Sequence, residues 1–144
     1  MIGLRTCYKV AANIVVTAST ALVTTGLTSP IAVNGKQKFR AWIPITTGAT
    51  GGVRLQVVVP AAGTLFAVTI KLFDTITPGI TTAIQAASAA FTNALAQAGS
   101  HWLEVEGYIE NGATAGNIDI QMACNSAANA LTVLKGGFMD VTTV

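Results

Sequence analysis

The sequence predicts an all-β fold, an antiparallel β-sandwich that is jelly-roll-like. Apolar residues recur at every second position through most of the chain, and glycine, proline or asparagine interrupts these runs at regular spacing. Short strands with frequent turns are typical of sandwiches and barrels. The 144 residues fit a single domain (1–144) that builds its core without metal or disulfides, and we expect a short N-terminal arm over about residues 1–12.

The first half of the chain contains five predicted strands. Pro30 suits an edge strand because proline cannot donate to a sheet ladder, and Asn34-Gly35 predicts a turn. The run KFRAWIPI has one apolar face, made of Phe39, Ala41, Ile43 and Ile45, and one mixed face, made of Lys38, Arg40, Trp42 and Pro44. The predicted strands cover 13–18, 29–33, 38–45, 53–59 and 64–73.

The second half repeats this scheme. In HWLEVEGYIE one face carries Leu103, Val105, Gly107 and Ile109, and the opposite face carries Trp102, Glu104, Glu106, Tyr108 and Glu110. Further strands are predicted over 118–122, 130–134 and 138–144, with a turn at Gly136-Gly137 between the last two. Residues 80–98 are ambiguous, because alanine and near-helical apolar spacing favour one short helix whereas the threonines favour extended structure. We expect strand and loop there.

Two glycine-rich segments resemble each other, TGATGGVRLQV (47–57) and NGATAGNIDIQM (111–122). A phosphate-binding loop requires Gly-Lys-Ser/Thr followed by a helix, and both segments lack the lysine and lead into strand-patterned sequence. We therefore interpret them as hairpin loops in which glycine permits positive φ. After the second loop the apolar alternation slips by one residue at Asn117, which predicts a bulge or a longer loop.

The composition limits the classes of function. Only 10% of the residues are charged and 51% are hydrophobic, so we expect much of the surface to be covered by copies of the chain or by a partner. The net charge of +2 is too small to indicate nucleic-acid binding, and the alternation of Lys36, Lys38 and Arg40 is typical of a solvated or interfacial strand face. Two long stretches of the sequence, 10–35 and 75–100, carry no charged residue. Polar residues interrupt both of them, so neither a signal peptide nor a membrane span is predicted.

No enzymatic activity, cofactor or metal site is expected. His101 is the one histidine and has no catalytic signature around it, so we interpret it as a surface or packing residue. Histidine, cysteine and carboxylate residues form no cluster with metal-ligand spacing. Cys7 and Cys124 are expected to be buried free thiols, with a single disulfide between them as the alternative.

Glu104, Glu106 and Glu110 share one predicted strand face, which invites comparison with the paired carboxylates of a glycosidase. The sequence supplies no apolar pocket to raise a carboxyl pKa, so a solvated face, or one facing Lys or Arg of a neighbouring strand, is the better interpretation. Aligning KFRAWIPIT with WLEVEGYIE places Arg40 against Glu104, and we hypothesise that these faces complement each other in an assembly. The aromatic residues suit sugar stacking, a protein interface or packing at the rim. The candidate interface residues are Arg40, Trp42, Trp102, Glu104, Glu106 and Tyr108.

Three stretches resemble a β-sandwich module of tailed-bacteriophage virion proteins: STALVTTGLTSPIAVNGKQKFRAWIPITTGATGGVRLQVVVP, LEVEGYIENGATAGNIDIQMA and VLKGGFMDV. In that pattern a Ser-Thr-x-Leu strand leads through a Leu-x-x-Pro-hydrophobic edge to an Asn-Gly turn and a long strand. A Thr-Gly-rich loop, a strand ending in proline and a late Asn-Gly-Ala segment follow. The resemblance covers most of residues 19–60 and 103–141, and the alanine-rich run 75–100 departs from it.

The resemblance implies a capsid decoration (cement) protein, commonly a homotrimer that contacts the major capsid protein, on the surface of a virion made in the host cytoplasm. A short chain without a stalk resembles a decoration protein more than a fibre. The alternative that the resemblance implies is a tail or fibre adhesin module that binds host glycans through exposed aromatic residues. Neither nucleic acid nor a membrane is expected as a partner.

Overall fold

The computed structural model describes residues 3–48, 52–60, 64–74, 79–85, 90–94 and 98–144. These residues form twelve β-strands and no helix. The first six strands are β1 (Arg5–Lys9), β2 (Ile14–Thr17), β3 (Val23–Ile31), β4 (Lys36–Thr47), β5 (Gly52–Val58) and β6 (Thr64–Asp74). The other six are β7 (Gly79–Gln85), β8 (Ala90–Ala94), β9 (Gly99–Glu110), β10 (Gly116–Cys124), β11 (Ala130–Val133) and β12 (Phe138–Thr143). The predicted all-β class is confirmed.

The strands form two antiparallel sheets. The large sheet has eight strands in the order β1-β12-β4-β9-β6-β7, with β11 pairing both β4 and β2. The small sheet has four strands in the order β3-β10-β5-β8. Most connections from β3 to β11 pass from one sheet to the other, so neither sheet is a simple meander. This arrangement is the predicted antiparallel sandwich.

The core lies between the sheets and follows the predicted alternation. The large sheet buries Phe39, Ala41, Ile43 and Ile45 on β4 and Leu103, Val105 and Ile109 on β9. The small sheet buries Val53, Leu55 and Val57 on β5 and Ile118, Ile120 and Met122 on β10. Gly107 is required on the inner face, because a Cβ there would lie 2.5 Å from Cζ of Phe39, whose ring occupies that space. The opposite face of each sheet is therefore available for function.

Strands β7 and β8 occupy the alanine-rich segment. β7 pairs with β6 at one edge of the large sheet, and β8 pairs with β5 at one edge of the small sheet. The preference for strand and loop over 80–98 is confirmed for the described part, while 86–89 and 95–97 lie outside the described residues. Pairing with neighbouring strands outweighs the helical propensity of alanine here. The described residues also include no helix long and apolar enough to cross a membrane.

The two Gly-Ala-Thr segments connect the sheets and are not hairpins. β4 and β9 precede them in the large sheet, and β5 and β10 follow them in the small sheet. The hairpin interpretation is wrong because the flanking strands bury their apolar faces in one core from opposite sides, roughly 10 Å apart. Because β4 and β9 are antiparallel, with Thr47 opposite Gly99 and Lys36 opposite Glu110, the two segments leave the large sheet at opposite ends. Residues 49–51 of the first segment lie outside the described residues.

The slip in alternation after the second segment lies inside β10. Asn117 pairs in regular register with Pro30 of β3, so the predicted bulge or longer loop is not at this residue. Five positions (111–115) separate β9 from β10 and four (48–51) separate β4 from β5, and the additional position is Asn111, before the shared Gly-Ala-Thr. The pairing of β10 with β3 is irregular between Asp119 and Gln121, beyond Asn117. The extra residues there belong to β3, where Gly26 has a φ of 76°.

Proline and the turn residues mark the expected edge and turns. Pro30 lies near the end of β3, an edge strand of the small sheet, and β3 ends at Ile31 rather than at the predicted position 33. Asn34 has a φ of 54° in the following turn, and Gly136 has a φ of 96° between β11 and β12. The expected N-terminal arm contains β1, which pairs with β12 at an edge of the large sheet.

Both cysteines are free thiols. Cys124 is buried as expected, with its Sγ 3.3 Å from the carbonyl oxygens of Val16 and Asn129. Cys7 is exposed, so the expectation of burial is wrong for this residue. The cause is its place on β1, where the alternation directs its side chain to the outer face of the large sheet beside Asp140.

Candidate functional site on the outer face of the large sheet

The outer face of the large sheet carries most of the charged side chains of the protein. The strand registers place Arg5, Lys9, Lys36, Lys38, Arg40, Lys71, Glu104, Glu106, Glu110 and Asp140 on this face. The remaining charged residues are Arg54, Asp74, Asp119 and Lys135. Charge is therefore concentrated on one surface, which makes this face the first candidate for a functional site.

Arg40 links two of the glutamates that share the predicted polar face of β9. Its Nη2 donates to Glu104 Oε1 at 2.5 Å, and its Nε lies 2.9 Å from Glu106 Oε1. Lys71 Nζ on β6 is 3.9 Å from the same Glu104 oxygen. The prediction that the glutamates face Lys or Arg of a neighbouring strand is confirmed, and the Arg40–Glu104 pair forms within one chain. The alternative that the Glu104 side chain faces solvent is wrong, because only 5% of it is exposed.

Three aromatic residues cluster at one end of this face. The rings of Trp42 and Trp102 meet edge to face with centroids 5.1 Å apart, and the Phe73 centroid lies 6.4 Å from Trp42 and 6.1 Å from Trp102. The Arg40 guanidinium lies over the Trp42 ring at 5.1 Å, within the range of a cation–π contact. Trp102 remains 43% exposed and is the accessible part of the cluster. Phe73 was not among the predicted site residues. Its position two residues after Lys71 in an alternating run could have placed it on the same outer face.

Tyr108 lies away from this cluster, next to Lys36 and Glu110. Its hydroxyl donates to Glu110 Oε1 at 2.7 Å, and Lys36 Nζ donates to the same oxygen at 2.9 Å. These bonds, that of Tyr108 first, hold the pKa of Glu110 below its ordinary value. The same carboxylate raises the pKa of Tyr108 and the pKa of Lys36. The six candidate interface residues thus share one face but form two groups. Tyr108 belongs to the group with Lys36 and Glu110, and the other five residues lie around Arg40 and Trp42.

An open groove of about 640 Å³ runs across the centre of this face, over β12, β4 and β9. Its lining includes Arg5, Lys38, Arg40, Trp42, Thr69, Glu106, Tyr108, Phe138, Asp140 and Thr142. Arg5 forms an ion pair with Asp140 across β1 and β12. Among the described residues, Lys38 has no acidic partner within ion-pair distance. Sequence reasoning missed Arg5, Phe138 and Asp140, because they come from the ends of the chain and no local pattern joins them to β4.

His101 stands apart from this face and its groove. His101 is buried on the inner face of β9, with Nδ1 3.2 Å from Asp74 Oδ1, which confirms it as a packing residue. Glu104 and Glu106 are both ion-paired with Arg40, so neither occupies the apolar pocket that a glycosidase acid requires. In the described part of the chain, histidine, cysteine and carboxylate side chains form no group of three or more that could hold a metal ion.

The outer face of the small sheet is almost uncharged. It carries only Arg54 and Asp119 as charged groups among the described residues. Asp119 Oδ1 accepts hydrogen bonds from the hydroxyls of Thr24 at 2.6 Å and Thr28 at 2.7 Å, and its Oδ2 accepts one from Gln121 at 2.9 Å. The single carboxylate of this face is therefore already satisfied within the sheet.

No protein-family model and no curated protein sequence match the chain. Three solved structures align with most of the chain at low TM-scores. The CBM22-1 and GH10 modules of Clostridium thermocellum endo-1,4-β-D-xylanase 10B, complexed with xylohexaose, are 11% identical at a TM-score of 0.32, covering 91% of this chain and 28% of that one. The Gt strain of infectious bursal disease virus is 13% identical at 0.26, covering 91% and 35%. The Gx strain is 13% identical at 0.21, covering 97% and 38%. The chain thus spans about a third of the length of each of these proteins.

Proposed function

We propose that the chain is a non-enzymatic structural protein of a bacteriophage virion, which decorates the capsid as a homo-oligomer in contact with the major capsid protein. The sequence resemblance motivates this role, and the observation that carries it is the nearly uncharged outer face of the small sheet. A face whose one carboxylate is already hydrogen-bonded loses little charge hydration when another protein covers it.

The mechanism is burial of this threonine-rich face across the junction between neighbouring subunits. Apolar area removed from water on both sides stabilises the contact, and hydroxyl groups at its rim find new hydrogen-bond partners. The decorated junctions then resist the internal pressure of the head. The charged outer face of the large sheet is left facing solvent, where it keeps particles apart.

Heating particles with and without the protein tests the stabilising role. Shells that lack the protein are expected to open at a lower temperature than decorated shells. If decorated and undecorated shells open at the same temperature, the protein does not stabilise the head, even if it is located there.

A matched pair of substitutions tests the surface. Thr92→Lys places a charge on the outer face of the small sheet, and Thr17→Lys places the same charge at an exposed strand position of the large sheet. We expect Thr92→Lys to reduce binding to undecorated shells by tenfold or more, since it buries an unpaired charge, while Thr17→Lys binds normally. Equal loss in both variants would contradict the assignment of this face.

A second candidate function is host-glycan binding by a tail or fibre module. The cluster of Trp42, Phe73 and Trp102 favours it, because an exposed indole beside polar side chains provides a platform for the apolar face of a sugar ring. A glycan array probed with the protein and with Trp102→Ala tests it. Binding that Trp102→Ala abolishes would favour this function, and an array without signal would remove it.

A further inference from the structure

Of the three cations that line the groove, Lys38 is the one without an acidic partner within ion-pair distance among the residues that the structure describes. Lys38 lies on β4 between Tyr108 of β9 and Thr142 of β12, in the middle of the groove. The neighbouring cations form ion pairs, Arg5 with Asp140 and Arg40 with Glu104 and Glu106. Among the described residues Lys38 has no such partner, although acidic side chains lie on the same face. The Lys38 side chain is exposed at a register position flanked by Tyr108 and Thr142, where its ammonium group can pair with an anionic group.

The groove also presents hydrogen-bond acceptors and flat apolar surfaces. Glu106 and Asp140 keep lone pairs free beyond those used by their arginines, since an ionised carboxylate accepts about four hydrogen bonds. Phe138 and Trp42 lie opposite each other on β12 and β4, beside these carboxylates. Hydroxyl groups of a ligand would donate to the carboxylates while its apolar face rests on a ring.

The combination selects one class of ligand. A nucleic-acid backbone offers repeated phosphates but few donors, so it would be repelled by Glu106 and Asp140. A neutral sugar would use the carboxylates and rings but leave Lys38 unpaired. A sugar with one anionic group on or beside the ring satisfies all three kinds of contact.

We propose that the groove binds acidic saccharides, with the carboxylate or sulfate of the sugar on Lys38, its hydroxyls on Glu106 and Asp140, and its apolar face on Phe138 or Trp42. The proposal deepens the glycan-binding function, which is the second candidate above, and adds a ligand class and an anion contact to it. The site lies on the face opposite to the one assigned to assembly, so a decorated particle would present it to solvent.

The test compares ligands that differ in one anionic group. Methyl galacturonoside and its methyl ester share the same ring, as do sialyllactose and its methyl ester, and galactose 3-sulfate against galactose tests a sulfate in place of the carboxylate. Calorimetry or NMR titration of the whole protein is expected to give binding of at least one acidic sugar that is tenfold or more tighter than that of its neutral counterpart, and that weakens as salt is added. Inorganic sulfate competing equally well at the same concentration would show a bare anion site and overturn the proposal.

Lys38→Gln is the decisive variant, and Lys135→Gln is its control, because Lys135 is an exposed lysine on the turn between β11 and β12. We expect Lys38→Gln to lower affinity for the acidic sugar about tenfold and leave the neutral sugar unchanged, while Lys135→Gln changes neither. Unchanged thermal unfolding of both variants confirms that they fold.

The possible failures are distinguishable. Binding of neutral and acidic sugars with equal affinity, or equal weakening of both by Lys38→Gln, would overturn the acidic site and leave glycan binding standing. Absence of binding to every sugar would overturn the acidic site and the glycan-binding function together.

Discussion

The two outer faces of the sandwich differ sharply, although the same alternation of residues builds both. The large sheet presents ion pairs, an aromatic cluster and a groove, whereas the small sheet presents threonine and glutamine around one satisfied carboxylate. Both faces are polar enough to be placed away from the core. Alternation along each strand therefore decides which side chains point away from the core, and the pairing of strands distant in sequence decides which of these side chains contact one another.

The two arginines at outer strand positions offer the largest contrast. Arg40→Met leaves the buried Glu104 with Lys71, 3.9 Å away, as its remaining cation among the described residues, and we expect a loss of roughly 2 kcal/mol in the free energy of unfolding. Arg54→Met removes one hydrogen bond to the Thr20 carbonyl oxygen, and we expect a loss of about 0.5 kcal/mol or less. Urea unfolding of both variants measures the difference. Equal losses would mean that Glu104 does not depend on Arg40.

For the two aspartates on the outer faces we expect the larger loss of stability on the small sheet, which is the reverse of the result expected for the two arginines. Asp119→Ala removes the acceptor of two threonine hydroxyls and one glutamine amide in the small sheet, so we expect a loss of about 1.5 kcal/mol. Asp140→Ala removes an ion pair with the exposed Arg5 in the large sheet, so we expect about 0.5 kcal/mol. Thermal unfolding at two salt concentrations checks both, since added salt should reduce only the Asp140 effect.

The irregular edge of the small sheet provides a smaller test. Gly26 has a φ of 76°, and a Cβ there would meet no atom within 4 Å, so a side chain is opposed by backbone strain alone. We expect Gly26→Ala to cost about 1 kcal/mol and Gly26→Asn to cost less, because asparagine tolerates this conformation better than alanine. A fully stable Gly26→Ala variant in urea unfolding would show that this strand relaxes to a regular register.

The smallest expected effect is a pH dependence on the large sheet. The depressed pKa of Glu110 means that its contacts with Tyr108 and Lys36 stabilise the fold above the carboxyl pKa of the unfolded chain, and that this contribution is lost as pH falls through the folded pKa. NMR titration should give a Glu110 pKa below 4.5 and a higher value in Tyr108→Phe. The melting temperatures of the two proteins should converge at low pH. A Glu110 pKa that Tyr108→Phe leaves unchanged would contradict the contact.

The sequence predicted the fold well where one strand face is continuously buried. On β4 the inner residues Phe39, Ala41, Ile43 and Ile45 are all buried, and on β9 Leu103, Val105 and Ile109 are buried with Gly107 between them, so both the strands and their faces were correct. The Gly-Ala-Thr segments were misassigned because alternation shows that a strand resumes after a loop, but does not show in which sheet it resumes.

The site was predicted less completely than the fold. Arg40, Glu104 and Glu106 were correctly placed on polar faces, because their positions follow from local alternation. The burial of Glu104 was not predicted, since it requires β4 and β6 on either side of β9. Arg5 and Asp140 are separated by 135 positions in the chain, and only the pairing of β1 with β12 brings them into the groove.

We propose that the small sheet faces the assembly and that the large sheet faces solvent. Electron cryomicroscopy of the decorated particle tests this arrangement directly. We expect density for this protein on the head, with β3, β10, β5 and β8 against neighbouring subunits and the groove around Lys38 open to solvent. A map in which the groove is buried and the small sheet is exposed, or in which the head carries no such density, would contradict it.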